Sequence, residues 1–496
     1  MSLSLITPVE QQKPNNQAAD IPLILDLDNS LLRTDVLYEQ VLAFLKENPL
    51  RIFLMLHWLL KGRAYLKQQL ARSIEIDVSR LPVNQELANY ARAEHDKGRM
   101  VVLATAADFQ IANRVAKRFG FINHVIASDG NTNLKGPVKA AALTKAFPQG
   151  FTYAGDSKVD LAVWEKASRA VLVETSGSVT RRAKRTVEIE AAFAPKFGVH
   201  AFLKATRLHQ WVKNALVIVP LILGGKMFVA EAWLNAGLAF LALGILASTT
   251  YLVNDLWDIE DDRQHWSKRN RPLASGAMSI KTAVLAIPTG LILSFAIGAI
   301  AGLPVVAVLA AYLALTLGYS FAFKRKPILD AFILAVLFTL RLVLGIVAVN
   351  VPPSPWLLVF SMFLFASLSF AKRQTEVQRM IEKGHDIDKK VAGRGYFAAD
   401  LPFILGMGIS SSMASVLIMV LYLTNDALVA DFYANSVWLW AIPPALFLWL
   451  SRIWMICQRG ELNDDPVVFA LRDPKSLVIC GFVGIAFAMA WAGIPF

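Results

Sequence analysis

Two fold classes are expected in this chain: an α/β domain with a small helical cap, followed by an all-α membrane domain of nine transmembrane helices. Three observations predict it. Apolar residues make up 55% of the 496, and mean hydropathy is +0.46, yet they are unevenly placed. Up to about residue 200 short apolar runs alternate with helical patterns; beyond it, apolar runs of roughly 20 residues recur, the length that crosses a bilayer. Within the first part, three short apolar runs each end in polar residues, the pattern of buried parallel strands. The expected division is a disordered tail over 1–19, the α/β domain over 20–196 with its cap at about 36–82, and the membrane domain over 197–496.

The tail, Met1 to Asp20, is polar and rich in Gln and Asn, without the basic start and apolar core of a signal peptide. The strands follow. Ile21 to Leu25 ends in Asp26-Leu27-Asp28-Asn29-Ser30, Met100 to Leu103 in Ala104-Thr105, and Phe151 to Ala154 in Gly155-Asp156-Ser157-Lys158-Val159-Asp160. Parallel strands collect such C-terminal residues at one rim of the sheet, where α/β sheets do their chemistry. The cap contains Ile52 to Leu60, very apolar but too short to span a membrane; it reads either as cap core or as a segment lying against a bilayer or lipid tail.

Over roughly residues 20–195 this arrangement resembles the haloacid dehalogenase (HAD) phosphatase superfamily. The resemblance implies Asp26 as nucleophile and Asp28 as general acid and base. It further implies Thr105 and a lysine as phosphoryl holders, and a Mg²⁺ site drawn from Asp26, Asp28, Asp156 and Asp160. The lysine is Lys139, which heads a helical pattern, or Lys135, which precedes Gly136-Pro137. Asn29 departs from the family's usual Gly. A degenerate domain kept for regulation or folding is the other reading.

The nine expected spans lie near 212–229, 233–254, 282–302, 304–323, 328–350, 355–371, 401–424, 435–457 and 477–495. Pro220 and Gly224-Gly225 interrupt the first. Loops after the even-numbered spans hold Arg263, Lys268, Arg269, Arg271 and Lys281, then Lys324 to Lys326, then Lys372 to Lys389, then Arg459 and Arg472; those after odd-numbered spans hold almost none. The positive-inside rule then puts the basic loops and the N-terminal domain in the cytoplasm, the chain being a multi-pass protein of the inner membrane. The same placement accounts for the net charge of +12 and argues against nucleic acid as a partner. Cys457 and Cys480 make no disulfide pattern. A homo-oligomer is compatible with all of this.

At the end of the second expected span stands Asn254-Asp255-Leu256-Trp257-Asp258-Ile259-Glu260-Asp261-Asp262, with Lys268 and Arg271-Pro272 beyond. Spacings of three and four put Asp255, Asp258 and Asp262 on one helix face. Carboxylates beside a bilayer are costly unless they hold cations, and their hard oxygens favour Mg²⁺; the basic residues then meet a diphosphate. This run, with the nine spans, resembles the UbiA family of intramembrane transferases over about residues 200–496. Membership implies transfer of a prenyl group from prenyl diphosphate to an aromatic acceptor such as 4-hydroxybenzoate.

A second stretch departs from that pattern. Where aromatic prenyltransferases of the family carry a second aspartate-rich motif, this chain reads Lys372-Arg373-Gln374-Thr375-Glu376, and cations there suit direct phosphate contact. The variant looks like the decaprenyl-phosphate phosphoribosyltransferase branch, whose donor is phosphoribosyl pyrophosphate (PRPP) and whose acceptor is a polyprenyl phosphate in the bilayer. Arg207 with Gln210-Trp211-Val212-Lys213-Asn214, Tyr319-Ser320 with Lys324, and Asp465-Pro466-Val467 through Arg472-Asp473 resemble further stretches of that branch. Arg341 lies inside an apolar span and is expected to line the cavity, with Asp330 as a candidate partner. The candidate substrate-binding residues are therefore Lys213, Asn254, Lys268, Arg271, Tyr319, Lys324, Arg341, Lys372, Arg373 and Glu376. The reading pairs a phosphoribosyltransferase with a phosphatase that removes the 5-phosphate from its lipid product; the alternative is an aromatic prenyltransferase with a regulatory or inactive first domain.

Overall fold

A seven-stranded sheet in the order β1-β4-β3-β2-β5-β6-β7 organises the N-terminal part. The strands are β1 Thr7–Pro8, β2 Leu23–Leu25, β3 Val101–Asp108, β4 His124–Ser128, β5 Thr152–Gly155, β6 Arg169–Val173 and β7 Glu188–Phe193. All pair in parallel except β1, which runs antiparallel to β4. The computed structural model describes residues 7–8, 21–194, 198–265, 268–382, 394–428, 433–462 and 465–494. The expected tail therefore lies outside the described residues apart from Thr7–Pro8, and Lys383 and Lys389 lie outside them too.

Strands β2, β3 and β5 are buried on both faces, as parallel strands under helices must be. Leu23, Leu25, Val101 and Leu103 point into one apolar layer; Ile24, Val102, Tyr153 and Trp164 point into the other. Helices α1 (Val36–Glu47), α2 (Arg51–Leu60) and α3 (Arg63–Ser73) form the insertion after β2; α4 (Gln85–Asp96), α5 (Phe109–Arg118), α6 (Pro137–Ala146), α7 (Leu161–Trp164) and α8 (Gly177–Thr186) cross between strands. Their starts are chemically marked. Asp35 accepts Leu37 N at 2.9 Å, Asp108 accepts Gln110 N at 2.9 Å, and Pro137 opens α6. Asn29 has φ of 56°, the left-handed conformation that Asn tolerates after Gly, which accounts for the residue found in that tight turn.

After α9 (Val199–Ala205) and the short α10 (Val219–Leu223) the long helices begin: α11 Ala230–Trp257, then the short α12 Ile259–Gln264, then α13 Ile280–Ala301, α14 Leu303–Phe321, α15 Leu329–Val349, α16 Pro355–Glu382, α17 Leu401–Tyr422, α18 Ile442–Gln458, the short α19 Pro466–Ala470 and α20 Pro474–Ala492. Among the described residues, eight helices are long and apolar enough to cross a membrane. The first of the nine expected spans is different: Leu208–Val217 is 3₁₀ helix and only Val219–Leu223 is α-helical, ending at Gly224 and Gly225, the latter with φ of 68°. Pro220 at the head of α10 donates no amide, and the two glycines release the chain before an 18-residue helix accumulates.

The sixth expected span also changes. It was expected to stop at residue 371, before the charges, yet α16 continues to Glu382. Lys372, Arg373 and Glu376 are therefore on a helix rather than in a loop, and Arg373 is buried.

Two compact units emerge, and they do not follow the chain order. The first comprises residues 1–207 with 251–288; the second comprises 208–250 with 289–496. The acidic run thus belongs to the unit that contains the sheet. In the second unit close helix approach depends on glycine: a Cβ on Gly244 would meet the Trp211 indole at 2.7 Å.

Candidate active sites

The order β3-β2-β5 at the centre of the sheet brings the ends of the three marked strands side by side. Asp26, Asp156 and Asp160 offer carboxylate oxygens that all lie within 4.8 Å of one another. Lys139 Nζ donates to Asp26 Oδ1 at 2.6 Å and to Tyr153 OH at 2.9 Å, and Tyr153 OH donates to Asp160 Oδ1 at 3.0 Å. Of the two candidate lysines it is Lys139 that bonds Asp26. Asp160 is held from the other side by Ser157 N at 3.0 Å and Ser157 Oγ at 2.8 Å. Thr105 is buried on β3, its Oγ1 accepting Ala107 N at 3.0 Å.

Asp28 stands apart from that group: its Oδ1 accepts Val36 N at 2.8 Å, at the start of α1. Asp28 is expected among the metal-ligand carboxylates but is not one of the three whose oxygens converge, its Oδ1 being taken by the start of α1. A residue the sequence reading passed over, Lys67 of α3, reaches the same rim, donating to Ala106 O at 2.5 Å and Asn133 Oδ1 at 3.1 Å.

Crowded carboxylates raise one another's pKa. Asp26 is pushed up to about 6 by burial, with Lys139 opposing and Asp160 adding. Burial, then the charges of Asp35 and Asp26, push Asp28 up to about 8. Burial, then Asp160 and Asp26, push Asp156 up to about 8. Three converging hard oxygens with one lysine are a donor set that fits Mg²⁺.

The second acidic site in the first unit is built differently. Helix α11 runs through Asp255 and breaks at Asp258, which begins α12 with φ of −92° and ψ of 9°. Asp255 and Asp262 are both buried. Arg271 Nη1 donates to Asp255 Oδ1 at 3.1 Å and to Asp262 Oδ2 at 2.6 Å, and Arg207 Nη2 donates to the same Asp255 oxygen at 2.5 Å. Arg271 was expected to meet an anion carried by a metal; it bridges the carboxylates directly, because buried charges demand close partners. One nitrogen reaching both carboxylates shows that their oxygens converge on one point, so the pair fits a cation there as well. Burial keeps Asp262 above the ordinary carboxylate range in spite of Arg271. Asn254 and Lys268 are half-buried beside these residues in sequence.

This acidic loop is also tied to the cap. Arg263 donates to Glu39 of α1 through both terminal nitrogens, at 2.6 and 3.1 Å, with both side chains almost wholly buried, and Thr34 Oγ1 donates to Glu39 at 2.5 Å.

The second unit contains a polar network on the helices. Arg373 of α16, 1% exposed, pairs with Asp330 of α15 at 2.7 Å and with Glu376 one turn on. Tyr319 OH accepts from Arg373 at 3.3 Å and from Arg394 at 2.8 Å, while Tyr396 OH donates to Asp330 at 2.6 Å. Lys213 pairs with Asp465, whose other oxygen caps α19 at Val467 N, 3.1 Å. Burial raises the Asp465 carboxyl, but the Lys213 and Lys372 charges outweigh it and leave its pKa below the ordinary value. Lys324 lies on the short turn Phe323–Arg325. Asp330 was a candidate partner for Arg341; it belongs to Arg373 instead. Arg341 donates to Asn214 Oδ1 at 3.2 Å, Leu337 O at 2.5 Å and Tyr312 OH at 3.2 Å, and stacks over Phe338.

Against known families, residues 217–472 match the UbiA prenyltransferase family. The chain belongs to that family. Its relatives divide informatively. An uncharacterized protein, y4nM of Sinorhizobium fredii, is 38% identical across 95% of this chain and 91% of its own, so the likeness extends through the α/β unit. Nodulation protein NoeC of Azorhizobium caulinodans is 30% identical over 60% of this chain and 96% of its own. Decaprenyl-phosphate phosphoribosyltransferase of Mycobacterium tuberculosis is 32% identical over 55% of this chain and 89% of its own. The UbiA region and its apolar helices make this an integral, multi-pass membrane enzyme. Arg207 and Arg394 are the partners that residue spacing did not single out. Arg207 lies 48 residues before the Asp255 it bonds, and Arg394 lies 75 residues from the Tyr319 it bonds.

Proposed function

We propose that this UbiA-family enzyme transfers the 5-phosphoribosyl group of PRPP to a polyprenyl phosphate, and that its N-terminal unit then hydrolyses the 5-phosphate. The observation that carries the transfer reading is the Lys372-Arg373 pair on α16, where a second aspartate-rich motif is expected for aromatic prenyl transfer; Arg373 is set in a network of Asp330, Glu376 and Tyr319. The relatives named as decaprenyl-phosphate phosphoribosyltransferases support it.

Asp255, Asp258 and Asp262 would hold Mg²⁺, which when bound would supply charge neutralisation for departing pyrophosphate. We assign the donor's phosphates to Lys268 and Arg271 and to Lys372 and Arg373, and further substrate contacts to Lys213, Asn254, Tyr319, Lys324 and Arg341. An oxygen of the acceptor phosphate, already anionic, attacks C1 of the ribose and the C1–O bond to pyrophosphate breaks; no strong base is required.

The N-terminal unit we read as a HAD-type phosphatase, with Mg²⁺ held by Asp26, Asp156 and Asp160. Asp26, largely ionised at neutral pH, attacks phosphorus. Asp28, pushed up to about 8 and so mostly protonated at pH 7, gives its proton to the leaving alkoxide. Lys139 and Thr105 hold the phosphoryl oxygens. Water then opens the aspartyl-phosphate with Asp28 as base. The orientation that suits both steps places the two acidic sites on the cytoplasmic side of the inner membrane.

Purified full-length protein in nanodiscs tests the donor. Pyrophosphate release from PRPP and polyprenyl phosphate is expected; turnover only with prenyl diphosphate and 4-hydroxybenzoate would replace this reading with aromatic prenyl transfer.

A further inference from the structure

Helix α2 presents two unlike faces. Inward, Trp58 packs on Phe44 of α1 with ring centroids 5.3 Å apart, and on Leu66 and Leu70 of α3. Outward, Ile52, Phe53, Leu56, Leu59 and Leu60 occupy an arc of about 120° at the helical repeat of 3.6 residues per turn. All five are exposed, Phe53 by 69% and Leu60 by 88%. A ten-residue helix is too short to span a bilayer, and a contiguous apolar arc on a domain surface marks an interaction site.

What stands beside α2 identifies the partner. Tyr38 and Leu42 of α1 share one apolar cluster with Leu252 and Leu256 near the end of α11, and with Ile280 and Ala283 at the start of α13. Both α11 and α13 are helices of membrane-crossing length and composition. The cap is thus mounted on the ends of two spans, and α2 follows α1 after residues 48–50 alone. No acidic residue occurs from Arg51 to Arg63, and Lys61 and Arg63 are exposed at the helix's far end. Arg51, at its start, pairs with Glu47.

We propose that α2 is an in-plane membrane anchor, its Ile52–Leu60 arc seated at the boundary between headgroups and acyl chains and its flanking cations on anionic headgroups. The occupant is a bilayer rather than a second copy, because α11 and α13 set a bilayer beside the cap in every molecule. The anchor holds the Asp26 rim at the lipid surface, whatever that rim catalyses.

The test places an environment-sensitive NBD label at Phe53→Cys, and separately at Leu56→Cys, in a Cys480→Ser background, Cys457 being buried. Full-length protein is reconstituted at one copy per nanodisc containing anionic lipid. Lys184→Cys, on the exposed face of α8, serves as the control. Blue-shifted emission and severalfold stronger quenching by spin-labelled lipid than at the control are expected. Emission and quenching equal to the control would overturn the proposal. So would a blue shift that appears only when two copies share a disc, which would mark the arc as a contact between copies.

Discussion

Two acidic sites in the first unit use the same residue type to opposite electrostatic ends. At the sheet rim Asp26, Asp156 and Asp160 converge with Lys139 bonded to Asp26, and burial above all, with repulsion from Asp160 added, drives Asp26 and Asp156 upward. In the acidic loop, Asp255 and Asp262 are matched by Arg207 and Arg271. The rim therefore carries carboxylates in excess of its bonded lysine, whereas the loop already contains its countercharge. If both sites hold Mg²⁺ as proposed, loading the rim would be simple binding, and loading the loop would displace a guanidinium and free an arginine for an anion.

Particular side chains distinguish the two sites. Asp26→Asn has the largest expected effect: loss of phosphomonoester hydrolysis by at least about a thousandfold. Pyrophosphate release should be unchanged, and mass spectrometry should show the 5-phosphorylated lipid accumulating. Identical products from variant and wild type would end the coupling of the two steps.

Arg271→Lys comes next. It keeps the charge but removes the planar guanidinium whose Nη1 alone bridges Asp255 and Asp262, so transfer should fall about ten- to a hundredfold. An unaltered rate would show that the bridge plays no part in turnover. Glu39→Gln leaves Arg263 buried without its counter-ion, a loss of about 3 kcal/mol by the behaviour of broken buried pairs. Denaturant unfolding of the full chain should report it, and Glu39→Gln with Arg263→Met should recover most of it.

The smallest effect concerns pH. Asp26, Asp28 and Asp156 have folded pKa values of about 6, 8 and 8, raised from 3.8. Their folded state binds more protons than the unfolded, so the stability they confer is present below about pH 4 and lost as pH rises through 6 and 8. In EDTA the melting temperature should drop by a few degrees between pH 6 and 8.5, and Mg²⁺ should restore more at the higher pH. Equal melting temperatures at both values would refute the crowding of charge at the rim.

Much of this was legible in the residues. Strand ends announced Asp26 and Asp156 because an apolar run that stops in polar residues has few other structural uses; Thr105, by contrast, lies inside β3, which runs on to Asp108. The long spans were legible because a bilayer imposes a length. Where α16 ends was not, since Lys372 and Arg373 look like the end of a span until Asp330, Glu376 and Tyr319 come to meet Arg373. Arg341 raised the same difficulty: its charge required a partner, but the choice between Asp330 and Asn214 depends on helix packing.

The sequence alone was enough for the two fold classes, the acidic residues after the sheet strands and the acidic run at a span's end, because hydrophobic periodicity and residue type act locally along the chain. Only the tertiary structure decided which charges neutralise which. Arg207 reaches across 48 residues to Asp255, and Arg263 across 224 to Glu39. Burial makes such pairing obligatory, but packing alone selects the partner.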